Sequence, residues 1–209
     1  MLQEKEPSLF QRLRGTVFWE YGEALLWAVL LALVLTTFVA QAFKIPSGSM
    51  LQTLQIGDHL LVNKFLYGLR NPFNDEYIIR GVEPQVGDII VFRYPKDRSV
   101  DYIKRIVGVP GDRLEMHNKI LYRNGLAVKE PYVQHVQPMV IIPVRDEWGP
   151  IVVPEDKFFA LGDNRDESAD SRFWGFLDRK DIRGKAWRIY WSSRGLSEFR
   201  FDRIGMLVE

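Results

Sequence analysis

Cysteine is absent from this 209-residue chain. That excludes disulfides, thiol nucleophiles and thiolate metal sites, and it suits a domain exported to a place where free thiols are a liability. Histidine is scarce: His59, His117 and His135 lie far apart, with no His-x-x-x-His or similar local pair to hold zinc. No metal site and no cofactor is expected. A surplus of charge is missing too. The formal net charge is +1, without the basic bias that a nucleic-acid partner requires. What is present is 46% apolar and 26% charged residues, enough for one substantial core in a mostly soluble chain.

One long uncharged run stands out, 24–43 (ALLWAVLLALVLTTFVAQAF), between Glu23 and Lys44. At about 1.5 Å per residue it reaches about 30 Å, the hydrocarbon thickness of a bilayer. A buried core helix is usually shorter and polar on one face, so the pattern predicts a transmembrane helix. Ala40-Gln41-Ala42 has the small-x-small spacing of a signal-peptide cleavage site. The run is longer than the roughly 7 to 15 apolar residues of a cleavable signal, so it reads as an uncleaved anchor. Lys5, Arg12 and Arg14 precede it, and only Lys44 follows before Lys64. That bias places segment 1–23 in the cytoplasm and 44–209 across the membrane.

Beyond the run the signals are short strands. Leu60–Val62, Ile89–Phe92, Tyr102–Val107, Lys157–Leu161 and Ala186–Trp191 are β-branched or aromatic, mostly separated by Gly, Pro or Asp. Asn124-Gly125 between two such runs predicts a hairpin. Trp187, Ile189 and Trp191 alternate strictly, which predicts core positions. The texture changes at about 113–154, read as an inserted hairpin or small subdomain. The expected fold is mostly β, an antiparallel sheet domain with one N-terminal transmembrane helix.

Three stretches carry chemistry. In Pro46-Ser47-Gly48-Ser49-Met50, Pro46 fixes φ and Gly48 permits a tight turn. Such a turn can expose a hydroxyl and aim backbone N–H groups at one point; it can equally be an ordinary loop. On a strand, Tyr102, Lys104 and Ile106 share one face, so the amine sits among apolar or aromatic neighbours. Desolvation there disfavours the charged form and makes Lys104 a candidate base for Ser49. The rival is a lysine whose stem covers apolar surface while its head stays wet. The third stretch, Gly162 to Gly175 (GDNRDESADSRFWG), is denser in polar groups than a surface turn needs. Asp163, Asp170, Arg165 and Arg172 can pair, and Ser168 or Ser171 can hydrogen-bond a neutral lysine.

Together these stretches, with Gly87-Asp88-Ile89-Ile90-Val91-Phe92 and 102–112 (YIKRIVGVPGD), resemble the bacterial type I signal peptidases, membrane-bound Ser/Lys endopeptidases. The resemblance implies a fold of coiled β-sheets, with Ser49 as nucleophile and Lys104 as general base. It further implies that Ser47 completes the oxyanion hole, that Ser168 orients the lysine, and that Asp170 and Arg172 form a supporting charged pair. By the same resemblance the pockets for small −1 and −3 residues involve Phe43, Ile45, Pro46, Met50, Leu54, Tyr102 and Ile103. Its partners are the signal peptides of exported preproteins and the bilayer of the bacterial cytoplasmic membrane. Gln52 departs from the family's proline, which implies a looser turn after the nucleophile. Two other readings stay open: a related peptidase acting on one precursor or on itself, and a catalytically silent membrane-anchored binding module.

Overall fold

The computed structural model describes residues 17–34, 36–37, 40–71, 76–195 and 198–209. Two helices and fourteen strands are present among them. α1 is Val17–Val34; β1 to β4 are Ala40–Lys44, Asp58–Asn63, Gly68–Arg70 and Tyr77–Arg80. β5 (Ile89–Tyr94) and β6 (Asp97–Gly108) form a hairpin; β7 to β10 are Arg113–His117, Ile120–Arg123, Leu126–Ala127 and Trp148–Val152. β11 (Lys157–Leu161), α2 (Ser171–Trp174), β12 (Leu177–Asp178), β13 (Ile182–Arg194) and β14 (Glu198–Phe199) complete the chain.

The main antiparallel sheet has the order β1-β2-β13-β5-β6-β11-β12, with β14 paired to β13. A four-stranded antiparallel sheet, β10-β7-β8-β9, is built wholly from residues 113–152, and β3-β4 is a separate hairpin. Asn124 (φ 55°) and Gly125 (φ 81°) turn β8 into β9 in the left-handed region that this dipeptide tolerates.

The run Ile89-Ile90-Val91-Phe92 shows no polar alternation because both faces of β5 are covered. Ile89 and Val91 pack with Ile45, Met50, Leu54 and Leu60, whereas Ile90 and Phe92 pack with Ile106, Phe158 and Leu177. Burying one such side chain contributes about 1.5–3 kcal/mol, so packing on both faces steadies β5, the strand that pairs with the Lys104 region of β6.

Two expectations need correction. The helix runs from Val17 to Val34, not over 24–43, and Glu20 lies in its first turn, where an acidic group suits the helix dipole. Ala40–Phe43, the last residues of the expected span, belong to β1, paired with β2 from Ala40↔Asn63 to Phe43↔Leu60. Pairing to a neighbouring strand and packing of Phe43 against the core outweigh the hydropathy of the run. Among the described residues no helix is long and apolar enough to cross a membrane. Lys5, Arg12 and Arg14, which set the expected orientation, lie outside the described residues.

The second correction concerns β13. Ile189 is buried, but Trp187 is 50% and Trp191 38% exposed. Pairing of β13 with β2 shifts register between Ala186 and Arg188 and again between Ile189 and Trp191. Each shift inserts a residue and moves the following side chains to the other face, so strict alternation in sequence does not survive as alternation in space.

Candidate active site

The cleft begins with a vacancy in strand pairing. β6 pairs with β5 along its length, with Lys104 opposite Ile90. On its other edge β11 pairs only with the end of β6, from Leu161↔Arg105 to Phe159↔Gly108. β11 stops at Leu161 and Gly162 turns the chain away, so among the described residues no strand covers the β6 edge before Arg105. A cleft of about 410 Å³ lies there, lined by Pro46, Ser47, Gly48, Ser49, Val100 to Lys104, Glu167 and Ala169. A second cavity of about 440 Å³, bordered by Asp88, Lys185 and Trp187, is elsewhere and holds neither Ser49 nor Lys104.

Ser49 sits in a closed turn. Leu51 N–H donates to the Gly48 carbonyl (3.2 Å) and Leu54 N–H to that of Met50 (2.8 Å). Met50 and Leu54 are buried and anchor the turn in the core. Gln52 thus sits in a turn ordered by two backbone hydrogen bonds and two buried apolar side chains. Asn164 holds the turn from the other side. Its backbone N–H donates to the Ser49 carbonyl (3.1 Å) and its side-chain amide to the Gly48 carbonyl (3.1 Å).

Lys104 is 4% exposed, so it is not a lysine with a wet head. Its Nζ lies 2.7 Å from Ser49 Oγ, 2.9 Å from the Ile103 carbonyl and 5.3 Å from the centre of the Tyr102 ring. Burial pushes its pKa down from 10.5 to about 8; the negative charges of Asp170 and Asp163 pull it back up and Arg172 opposes them. At that value a substantial fraction of the amine is unprotonated near neutral pH and can accept the hydroxyl proton of Ser49.

In the 162–172 loop Asp170 and Arg172 pair with each other, and Asp163, Arg165 and Asp166 pair with residues outside it. Asp170 accepts from Arg172 Nε (2.8 Å) and Nη2 (2.7 Å), both side chains fully buried, and also from the N–H of Gly162 (3.1 Å). Asp163 receives Arg105 Nε and Nη2 (2.9 and 2.8 Å) and the Thr53 hydroxyl (2.5 Å). Arg165 pairs with Glu130, and Asp166 with Lys119 (2.6 Å). Burial alone would raise the Asp166 pKa, but hydrogen bonds from Lys119, the Gln137 N–H and His135 hold it at about 2. The turn between β7 and β8 and the segment between β9 and β10 thus fasten the loop through Lys119, Glu130 and the pairing of Gln134 with Asn164.

The expected residues fall into two groups. Ser49, Lys104, Ser47, Pro46, Tyr102 and Ile103 meet at the cleft, and Asp170 with Arg172 form a pair behind it. Ile45, Met50 and Leu54 instead pack in the core beneath, with Phe43 against the same cluster. Ser168 is buried beside the site, yet its hydroxyl has no hydrogen-bond partner among the described residues, and the second partner of Lys104 is the Ile103 carbonyl. Ser171, the other candidate, accepts from the Ala160 N–H instead. Arg165, expected to pair within the loop, reaches out to Glu130. Residue-level reasoning assigned no part to Asn164, Thr53, Glu130 or Lys119. The partners that tie them to distant segments lie 35 to 116 positions away, beyond the reach of local spacing.

Gly162 explains why the loop can come so near. A Cβ there would lie 2.3 Å from Ser168 Oγ and 2.5 Å from the Ser49 carbonyl oxygen. Only glycine lets β11 end against the nucleophile turn.

The chain is similar to known proteins. The family model described as signal peptidase, peptidase S26, matches residues 18–191. Signal peptidase I of Pseudomonas fluorescens is 38% identical over 90% of this chain and 78% of the relative. That of Pseudomonas aeruginosa is 34% identical over 99% of this chain and 85% of the relative. A solved signal peptidase I from Enterococcus faecalis V583 is 32% identical, with a TM-score of 0.42 covering 50% of this chain and 97% of that one. With the family model matching most of its length, the chain belongs to the signal peptidase family, peptidase S26, and its enzyme class is that of the serine peptidase signal peptidase I.

Proposed function

We propose that the chain is a membrane-anchored serine endopeptidase that removes N-terminal signal peptides from exported preproteins, cutting after small-x-small sites. The observation that carries this reading is the 2.7 Å contact between Ser49 Oγ and a buried Lys104 amine whose pKa is brought to about 8. The neutral amine takes the Ser49 proton as Oγ attacks the scissile carbonyl. The oxyanion is met by the Ser49 N–H and the Ser47 hydroxyl, which lies on the cleft wall. Lys104, now an ammonium, gives its proton to the leaving amine as the C–N bond breaks, leaving an ester on Ser49. Water, deprotonated by Lys104, then hydrolyses that ester to a free carboxylate and regenerates the hydroxyl. The unpartnered Ser168 hydroxyl is the group assigned to orient Lys104, because a buried hydroxyl left unsatisfied costs about 1–3 kcal/mol.

Substrate binds as an added strand on the open β6 edge, its side chains alternating between two faces. Pro46, Tyr102 and Ile103 wall the −1 and −3 positions, and the close-packed Ile45, Met50, Leu54 and Phe43 behind them leave room only for small side chains. Cleavage of this chain at its own Ala40-Gln41-Ala42 is disfavoured, since Ala40–Lys44 is held in pairing with β2. Anchoring is assigned to the apolar segment that includes the second half of α1, where Leu25, Trp27 and Leu31 are exposed. The N-terminus lies in the cytoplasm of a bacterial cell and the β domain outside it.

Cleavage of a model preprotein by the detergent-purified full chain tests the chemistry. Wild type should cut after the small-x-small site, and Ser49→Ala, Lys104→Ala and Lys104→Arg should not, since arginine keeps its proton. Normal turnover by Lys104→Arg would end the lysine-base assignment. Retention in the membrane pellet after alkaline carbonate washing, with the β domain open to external protease in spheroplasts, tests the anchor and its orientation.

A further inference from the structure

The open edge of β6 ends at Lys104, because β11 occupies that edge from Arg105 onward. A strand lying along Val100–Lys104 therefore has to leave the sheet at Ser49 and pass over the residues that follow β11. Two of these, Glu167 and Ala169, line the cleft. Glu167 is exposed, and its carboxylate accepts one long hydrogen bond, 3.3 Å, from the Asn164 side-chain amide. The same amide donates to the Gly48 carbonyl, which ties Glu167 to the residue before the nucleophile.

The neighbouring cations are engaged elsewhere: Arg105 with Asp163, Lys119 with Asp166, Arg165 with Glu130 and Arg172 with Asp170. The other carboxylate of the cleft, Asp101, is paired with Arg183 at 3.2 Å. Among the described residues no cation pairs with Glu167, so it brings an uncompensated negative charge to the cleft, and the proton transfers between Ser49 and Lys104 make no use of it. Side chains at −1 and −3 point into the walled pockets. Alternation turns the −2 side chain to the opposite face, and the residues after the cut leave over the loop that carries Glu167.

Building on the Ser/Lys peptidase reading, we propose that Glu167 is a specificity-determining residue. It favours lysine or arginine, and disfavours aspartate or glutamate, at substrate positions −2, +1 or +2. The substrate class that the cleft takes is then a small-x-small site flanked by cationic or neutral residues rather than acidic ones.

The test uses the detergent-purified full chain and peptides with alanine at −1 and −3, carrying Lys, Gln or Glu in turn at −2, +1 and +2. The readout is the ratio of kcat/KM for the Lys peptide to that for the Glu peptide, taken within each variant so that any general loss of activity cancels. In wild type at low salt the ratio should be about three- to tenfold at one or more positions, falling toward unity at about 1 M salt. Glu167→Gln should flatten it and Glu167→Lys should invert it. The same ratio in all three proteins at every position, with the Gln peptides still cut, overturns the assignment of Glu167 alone. Failure of wild type to cut even the Gln peptides overturns the peptidase reading and this proposal together.

Discussion

Around Lys104 a buried amine faces a serine hydroxyl, a carbonyl and an aromatic ring, and among the described residues no carboxylate pairs with it. On the adjoining loop, Arg165 and Arg172 have side chains as deeply buried, yet each is closed on a carboxylate, Glu130 and Asp170. Arg105, next to Lys104 in sequence, is closed on Asp163. Burying a cation carries a desolvation cost in both regions. The loop offsets it with counter-ions and keeps its guanidiniums charged; the Lys104 pocket offers no paired carboxylate, and burial there makes the proton easier to lose. Burial lowers the lysine's pKa, the charges of Asp170 and Asp163 raise it, and Arg172 opposes them, while Asp163 is itself paired with Arg105. Lys104 has no carboxylate of its own because those nearest to it already belong to arginine.

The strongest way to break this contrast is to remove the amine. Lys104→Met should lower turnover by about 10²–10⁴-fold or more while stabilising the fold. Between pH 8 and 10.5 the unfolded chain holds a proton that the folded protein has released, so wild-type stability rises with pH across that window. Below it the buried charge costs roughly 3 kcal/mol. Urea melts at pH 7 and pH 10 should show the variant more stable at pH 7 and without that rise.

Arg172→Met attacks the other side of the contrast by leaving Asp170 buried and unpaired. It should cost about 3–5 kcal/mol in a urea titration. It should also shift the alkaline rise of kcat/KM, centred near pH 8 in wild type, to higher pH. An unpaired carboxylate holds the proton on Lys104, so the neutral fraction at a fixed pH falls. A profile that stays centred near 8 would separate the pair from the tuning of the base.

Gly162→Ala sharpens the comparison sterically, pushing the charged loop off the nucleophile turn. It should destabilise by about 1–3 kcal/mol and slow cleavage with little change in KM. The smallest effect is expected at Lys157 and Asp178, an ion pair with both side chains more than a third exposed. Lys157→Ala should change stability by less than about 1 kcal/mol, which thermal melts can bound.

Much of the sheet was legible because β-branched runs and turn residues act locally. Lys157–Leu161 is a strand over those very residues, and Asn124-Gly125 is a hairpin turn. The helix was displaced because hydropathy cannot tell a lipid-facing run from a strand that packs on a core: Ala40–Phe43 is equally apolar in either role. The faces of Trp187 and Trp191 were misread because a bulge leaves no mark in the order of residues. Within the site, the glycine turn at Ser49 and the lysine on an apolar strand were noticeable from their own residue types, and the structure brings the two side chains together. Asn164, Thr53 and Glu130 were not noticeable, because the contacts that hold the site together through them reach groups far along the chain.

By itself the sequence determined which residue types are available: a serine in a glycine turn, a lysine on an apolar strand, and a loop with enough acid and base to close on itself. Those follow from local sterics, strand periodicity and composition. Only the tertiary structure decided that β11 ends one residue before Gly162, that this uncovers the edge of β6, and that Lys104 is brought to Ser49 without a carboxylate of its own. Pairing register, burial and the partition of counter-ions are properties of the packed chain, and they exist only once distant segments meet.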